Sequence, residues 1–233
     1  KKELQVITTR IIRKMSDSTE GRMIVVTRSG GVDSRLVVSG LANLGYKNVK
    51  CFSYGRKNNF ESLTSEIIAK KLGYDWKFIK LSNSIIKKDY HSDLHKDYYR
   101  CSNSFASVPV EHEFTAVRLL KKSGWIHNDA IFVNGMSGDF LTGSHIPEMF
   151  HVSEGHLDRR SRKHRILSAL IDKHYSLWTD LKTDNNKKIV FDTLWREILE
   201  DVNGLPENIN DDFGLYEFSE FKNRQTKYVI TVQ

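Results

Sequence analysis

A chain of 233 residues with an apolar share of 39%, four Trp and twelve Phe can bury a proper core, which excludes a disordered or fibrous protein. Its 36 basic against 29 acidic side chains give a net charge of +7, an excess that suits polyanions such as ATP or RNA, yet the basic residues stand mostly singly or in pairs. Two cysteines without CxxC or zinc spacing argue for a reducing cytosol and against a metal or redox role. With no apolar run of membrane length and no signal peptide, the expectation is a soluble, cytoplasmic chain.

After a first helix, Met23 to Thr27 is a short β-branched run fit for a central parallel strand, and Ser34 to Leu44 has helical apolar spacing closed by Gly45. Between them, Ser29-Gly30-Gly31-Val32-Asp33-Ser34 lets backbone amides converge on an anion at a helix N-terminus. A carboxylate beside phosphates is repulsive unless a cation intervenes, so Asp33 implies Mg²⁺. The spacing fits neither G-x-x-x-x-G-K-[ST] nor G-x-G-x-x-G with a downstream acid.

Further on, Val49 to Tyr54 reads as a strand, Glu61 to Leu72 as a helix closed by Gly73, and Trp76 to Leu81 as a strand. Asn83 to Val108 is polar, aromatic and less regular. Its His91 and His95, four apart, would suit one helix face as metal ligands, but with no third ligand nearby they read as surface histidines. Val110 to Lys122 is a helix closed by Gly124, where Glu111 or His112 either touches substrate or favours the helix N-terminus.

Ala130 to Asn134 is a strand running into a second glycine turn that ends at Gly143. Arg159 to Trp178 and Phe191 to Val202 are helical, separated by a polar break from Lys182 to Lys188, and the basic run Arg159 to Arg165 reads as a polar helix face rather than a phosphate track. Alternating strands and helices predict an α/β fold, a parallel sheet with helices on both faces, over 1–144, followed by a mainly helical subdomain over 145–233. Both glycine turns follow strand ends, so both belong to the crevice at the carboxyl edge of the sheet.

The six residues Ser29 to Ser34 match at every position the SGGxDS pyrophosphate loop of the N-type ATP pyrophosphatases. Ala130 to Gly143 resembles the S-G-[DE]-G-[AS]-D-E-x-F-G-G signature of the asparagine synthetase synthase domain, Val49 to Gly55 its F-S-x-G strand, and Glu66 to Gly73 its helix ending A-x-x-L-G. The four motifs in this order make the chain similar to that family across Met23 to Gly143.

The resemblance implies an adenine nucleotide alpha hydrolase-like fold that takes ATP and Mg²⁺. ATP phosphates would lie on Ser29, Gly30, Gly31 and Ser34. Asp33 and Asp139 would be the catalytic acids, on Mg²⁺ and pyrophosphate. Adenine and ribose would lie against Thr27, Tyr54, Asn134 and Gly135, mostly through main-chain groups. In the family the 83–108 region faces the acceptor, and Glu217 to Lys227 vaguely resembles its glutamate and arginine stretch.

Two departures stand out, Met136 and Phe140, where the family carries acids; a thioether neither accepts a proton nor carries charge. Arg28 replaces an apolar residue beside the loop, and either reaches a phosphate or carboxylate or is solvated or salt-bridged.

The function so implied is an ATP-dependent carbon–nitrogen ligase. It adenylates a small-molecule carboxylate, releases pyrophosphate, and lets an amine or ammonia, supplied by a glutaminase domain or partner, displace AMP. Two alternatives stand beside it, a tRNA-modifying N-type ATP pyrophosphatase and a non-catalytic ATP-binding homologue. The chain starts without Met and stops on the apolar run Tyr228 to Gln233, so the expectation is an excised domain that lacks the glutaminase domain and a C-terminal phosphate-contacting lysine.

Overall fold

The computed structural model describes residues 2–27, 30–57, 59–103, 111, 113–135, 138, 142–150, 159–179, 183–202, 211–223 and 226. The chain divides into two compact units, Lys1–Leu141 and Thr142–Ile230. In the first, the described elements run α1 (Lys2–Ser18), β1 (Ile24–Thr27), α2 (Val32–Asn43), β2 (Val49–Gly55), α3 (Phe60–Lys71), β3 (Asp75–Lys80), α4 (Asn83–Tyr90), α5 (Asp93–Ser102), α6 (Phe114–Lys122) and β4 (Ile131–Val133).

All pairings are parallel, in the order β3-β2-β1-β4, with Thr27 opposite Phe52 and Val26 opposite Val133. Alternation along β1 sorts the core into two layers. Ile24 and Val26 pack with Cys51 against Val38 and Leu41 of α2 and Ala69 of α3. Val25 packs with Phe52 and Ile79 against Ala116 and Leu120 of α6. Helices therefore cover both faces, as the sequence predicts. From β1 the chain steps to β2 and β3, then returns to β1's other side as β4. That reversal makes the carboxyl edge of β1 the switch point at which parallel sheets bind ligands.

Four expectations need correction. The stretch after β3 is not irregular but carries two helices, α4 and α5, started by Ser82 and Ser92, whose hydroxyls accept from the amides of Ile85 and His95. Its two histidines share no helix face, since His91 caps the end of α4 while His95 belongs to α5. Nor is His95 a surface residue: it is 6% exposed and its Nε2 lies 2.6 Å from Glu111 Oε2, among the rings of Tyr90, Tyr98 and Phe114. The next helix starts at Phe114 rather than Val110, with Glu113 at its N-cap.

In the second unit, α7 (Arg159–His174), α8 (Asp184–Val202) and α9 (Asp212–Glu220) enclose a core of Ile166, Leu167, Leu170, Ile198, Leu215 and Tyr216. Helix α8 begins inside the expected polar break because Thr183 caps it, its Oγ1 accepting from the Asn186 amide. The basic run lies on α7, and its residues Arg162 and Lys163 are tied within the unit. Arg162 meets Asp212 at 2.5 Å and Lys163 meets Asp192 at 2.8 Å. Among the described residues no helix is long and apolar enough to cross a membrane.

One buried carboxylate holds this unit. Glu220 is 1% exposed and accepts from Lys173 Nζ at 2.8 Å and from the His174 ring. Burial works against its charge, but hydrogen bonds and charges from His174 and Lys173 outweigh burial and hold its pKa below the ordinary value. A carboxyl group with a depressed folded pKa stabilises above its unfolded pKa of about 4.3, and that contribution is lost as pH falls through the folded value. Glu220→Gln is expected to cost the unit roughly 2 kcal/mol at pH 7, because a neutral amide replaces a buried carboxylate that Lys173 and His174 satisfy with charge-assisted hydrogen bonds, while both cations remain partly solvated. It should also remove Glu220's share of the stability loss expected on acidification, which thermal unfolding between pH 7 and pH 3 would check.

Candidate functional site

The site grows from the end of β1. Its last residue, Thr27, is half-buried, and three residues later Gly30 and Gly31 lead directly into α2, with Gly31 in extended backbone at the N-cap. Helix α2 starts at Val32, so Asp33 and Ser34 lie in its first turn, where amides have no intrahelical partner and the helix dipole is positive. Arg35 Nη2 donates to the Gly30 carbonyl at 3.2 Å and fastens the loop from its exposed side.

The second glycine turn lies directly on this first turn. A Cβ placed on Gly135 would come within 2.6 Å of the Ser34 amide nitrogen, and one on Gly138 within 2.1 Å of Asp33 Oδ1. Real Cβ atoms do not approach so closely, so only glycine lets the two strand ends close together. The turn is itself tied by the Gly138 amide donating to the Gly135 carbonyl at 3.0 Å. At Gly30 the neighbour is α3, where a Cβ would stand 3.3 Å from Glu61 Cα.

The structure thus brings together Gly30, Gly31, Asp33, Ser34 and Gly135 of the expected site. Asn134 follows β4 directly, level with Thr27, and Tyr54 is the penultimate residue of β2. Ser29, Asp139, Arg28, Met136 and Phe140 lie outside the described residues, as does His112. Asp33 is the described carboxylate at the meeting point. Mg²⁺ commonly takes one or two carboxylates plus substrate phosphate oxygens, so this donor set fits it without a larger acidic cluster. Among the described residues no group of three His, Cys, Asp or Glu side chains could hold a metal by itself.

Two residues the sequence reading passed over stand at the same edge. Thr27 Oγ1 donates to Glu113 Oε2 at 3.2 Å, across 86 positions of sequence. Tyr54 has its phenol pushed up to about 12 by burial, then by the charge of Glu113 and then of Glu61, so it keeps its proton at physiological pH. Glu61 carries only a weak local signal, an acid in the first turn of a helix. Glu113 carries none that spacing reveals, because its partner comes from tertiary contact.

No protein-family profile matches the chain. Over 99 residues it is 34% identical to 7-cyano-7-deazaguanine synthase of Thermoplasma acidophilum, a stretch covering 42% of this chain and 40% of that protein. The similarity supports the N-type ATP pyrophosphatase superfamily. It does not single out asparagine synthetase. The chain aligns with well under half the length of that curated relative. Among solved structures, NH3-dependent NAD synthetase from Campylobacter jejuni, in complex with the nitrate ion, aligns with 100% of this chain and 96% of its own, at TM-score 0.44 and 13% identity.

Proposed function

We propose that the chain is an ATP pyrophosphatase-type ligase domain that activates an acceptor with ATP, releases pyrophosphate, and passes the activated acceptor to a nitrogen nucleophile. The observation that carries this reading is the closure of Gly135 and Gly138 onto Asp33 and Ser34 at the start of α2, where free first-turn amides and the helix dipole would favour an anion.

In this reading the first-turn amides of α2 and the Ser34 hydroxyl grip the phosphates and stabilise charge building on the departing pyrophosphate. Asp33, with Asp139 as the second acid, would hold Mg²⁺, which neutralises phosphate charge when bound. Thr27, Tyr54, Asn134 and Gly135 flank the nucleoside, and the sheet edge keeps the acceptor in line with the α-phosphate.

The acceptor is a small-molecule carboxylate and the nucleophile ammonia or an amine. An amino-acid carboxylate, as in asparagine synthetases, is one form of this. The similarity to a synthase of a cyano-deazaguanine favours another, a carboxylate on a purine-like ring. The similarity to 7-cyano-7-deazaguanine synthase gives an N-type ATP pyrophosphatase other than an asparagine synthetase, the tRNA-modifying alternative included, more support than the asparagine synthetase form, while Arg162 and Lys163 of α7 are engaged with Asp212 and Asp192.

The test is conversion of Mg-ATP to AMP and pyrophosphate across a panel of amino-acid and heteroaromatic carboxylates with ammonia, and separately with RNA. Acceptor-dependent AMP and pyrophosphate in equal amounts is the expected result. Turnover with RNA alone would move the function to nucleic-acid modification, and tight ATP binding without turnover on any acceptor would make the chain a non-catalytic homologue.

A further inference from the structure

Glu113 is a carboxylate placed with care. Its Oε2 accepts from Thr27 at the carboxyl end of β1, and two residues earlier Glu111 is fastened to the buried His95 of α5. The short turn before α6 is thus fixed to two different elements, and one of those fastenings holds Glu113 at the strand edge where the nucleotide of the proposed function would lie. We infer that Glu113 reads the base of that nucleotide, accepting a hydrogen bond from the exocyclic amine of adenine. The inference rests on the ATP-binding reading above and deepens it by naming the specificity-determining residue.

Packing and charge set the direction of the nucleotide. On the β4 side, Gly135 and Gly138 lie directly against Ser34 and Asp33, so that a Cβ at either glycine would overlap them and the backbone closes on the start of α2. A base attached to phosphates on α2 therefore extends over the ends of β1 and β2, where Thr27 and Tyr54 stand. The field there is negative, since Glu113 and Glu61 both act on the Tyr54 phenol. Phosphates are repelled from that end and a neutral base is not.

Hydrogen-bond chemistry selects the base. An ionised carboxylate only accepts, the six-position of adenine donates, and the six-position of guanine or hypoxanthine is a carbonyl that accepts. Adenine is matched to Glu113, while a six-oxo purine sets two acceptors against each other.

The test is calorimetric titration of the full chain with Mg-ATP, Mg-ITP and inorganic tripolyphosphate, in wild type, Glu113→Gln and Glu113→Ala, each variant checked for an unchanged circular dichroism spectrum. The wild type is expected to prefer ATP over ITP by roughly ten- to a hundredfold, the range for a hydrogen bond to a charged group. Both variants should bring the ratio near one, with tripolyphosphate affinity unchanged. ATP binding with the same preference in all three proteins would overturn the inference while leaving the ATP site intact. Failure of folded wild type to bind either nucleotide or tripolyphosphate would remove the ATP-binding reading itself, and the inference with it.

Discussion

Asp33→Asn is expected to slow pyrophosphate release by roughly a hundred- to a thousandfold while leaving the fold intact. The substitution keeps the shape of the side chain, so its seat against Gly138 survives. What disappears is the negative charge that lets a cation stand between protein and phosphates; removal of one preorganised electrostatic contact at a developing charge typically costs about 10²–10³ in rate. Single-turnover measurement of pyrophosphate, alongside ATP affinity with and without Mg²⁺, checks this. A variant that releases pyrophosphate at the wild-type rate would show that Asp33 is a packing residue, and the ligase reading would lose its centre.

Gly138→Ala is expected to be nearly as damaging by a different route. The new methyl would stand 2.1 Å from Asp33 Oδ1 and 2.2 Å from its carboxyl carbon, so either the turn after β4 or the first turn of α2 has to move. Overpacking of this kind costs about 1–3 kcal/mol, and here the displaced group is the proposed metal ligand. Activity should fall by roughly a hundredfold, the penalty typical of an ångström-scale misplacement. Gly40→Ala is the matched control, because its Cβ meets only Ile12, nearest at the Cδ1 tip, 2.3 Å away, which can rotate aside. Comparing initial rates and melting temperatures of the two variants separates lost site geometry from a general packing cost. Equal activity in both would mean that the glycine turns do not shape the site.

Legibility in the sequence followed the range of the interactions. The turn from β1 into α2 is local, since glycines, a β-branched strand and a helix start lie within about twenty residues, and the structure builds it where the pattern points. Helix α2 even begins earlier than its apolar spacing suggests, at Val32, which moves Val32 and Asp33 from the loop into the helix. Helices α4 and α5 were hidden because their charged and aromatic residues obscure the apolar period, leaving only the caps Ser82 and Ser92 as signals. The pairings of Thr27 with Glu113 and of His95 with Glu111 join elements that only tertiary packing brings together. Spacing cannot report them, and a histidine that looked solvated proved to be buried for that reason.

The strand order has a consequence for how the site comes into being. β1, β2 and β3 are joined by short successive crossovers, whereas β4 returns to β1 only after about a hundred residues and pairs through three. Closing so long a loop is the entropically slow step, and so brief a ladder is the part that opens most readily afterwards. The half of the crevice carrying Gly135 and Gly138 is therefore the last to assemble and the first to come apart. A ligand gripped by both halves would act as the clasp that holds β4 in register, linking occupancy of the crevice to the persistence of the sheet around it.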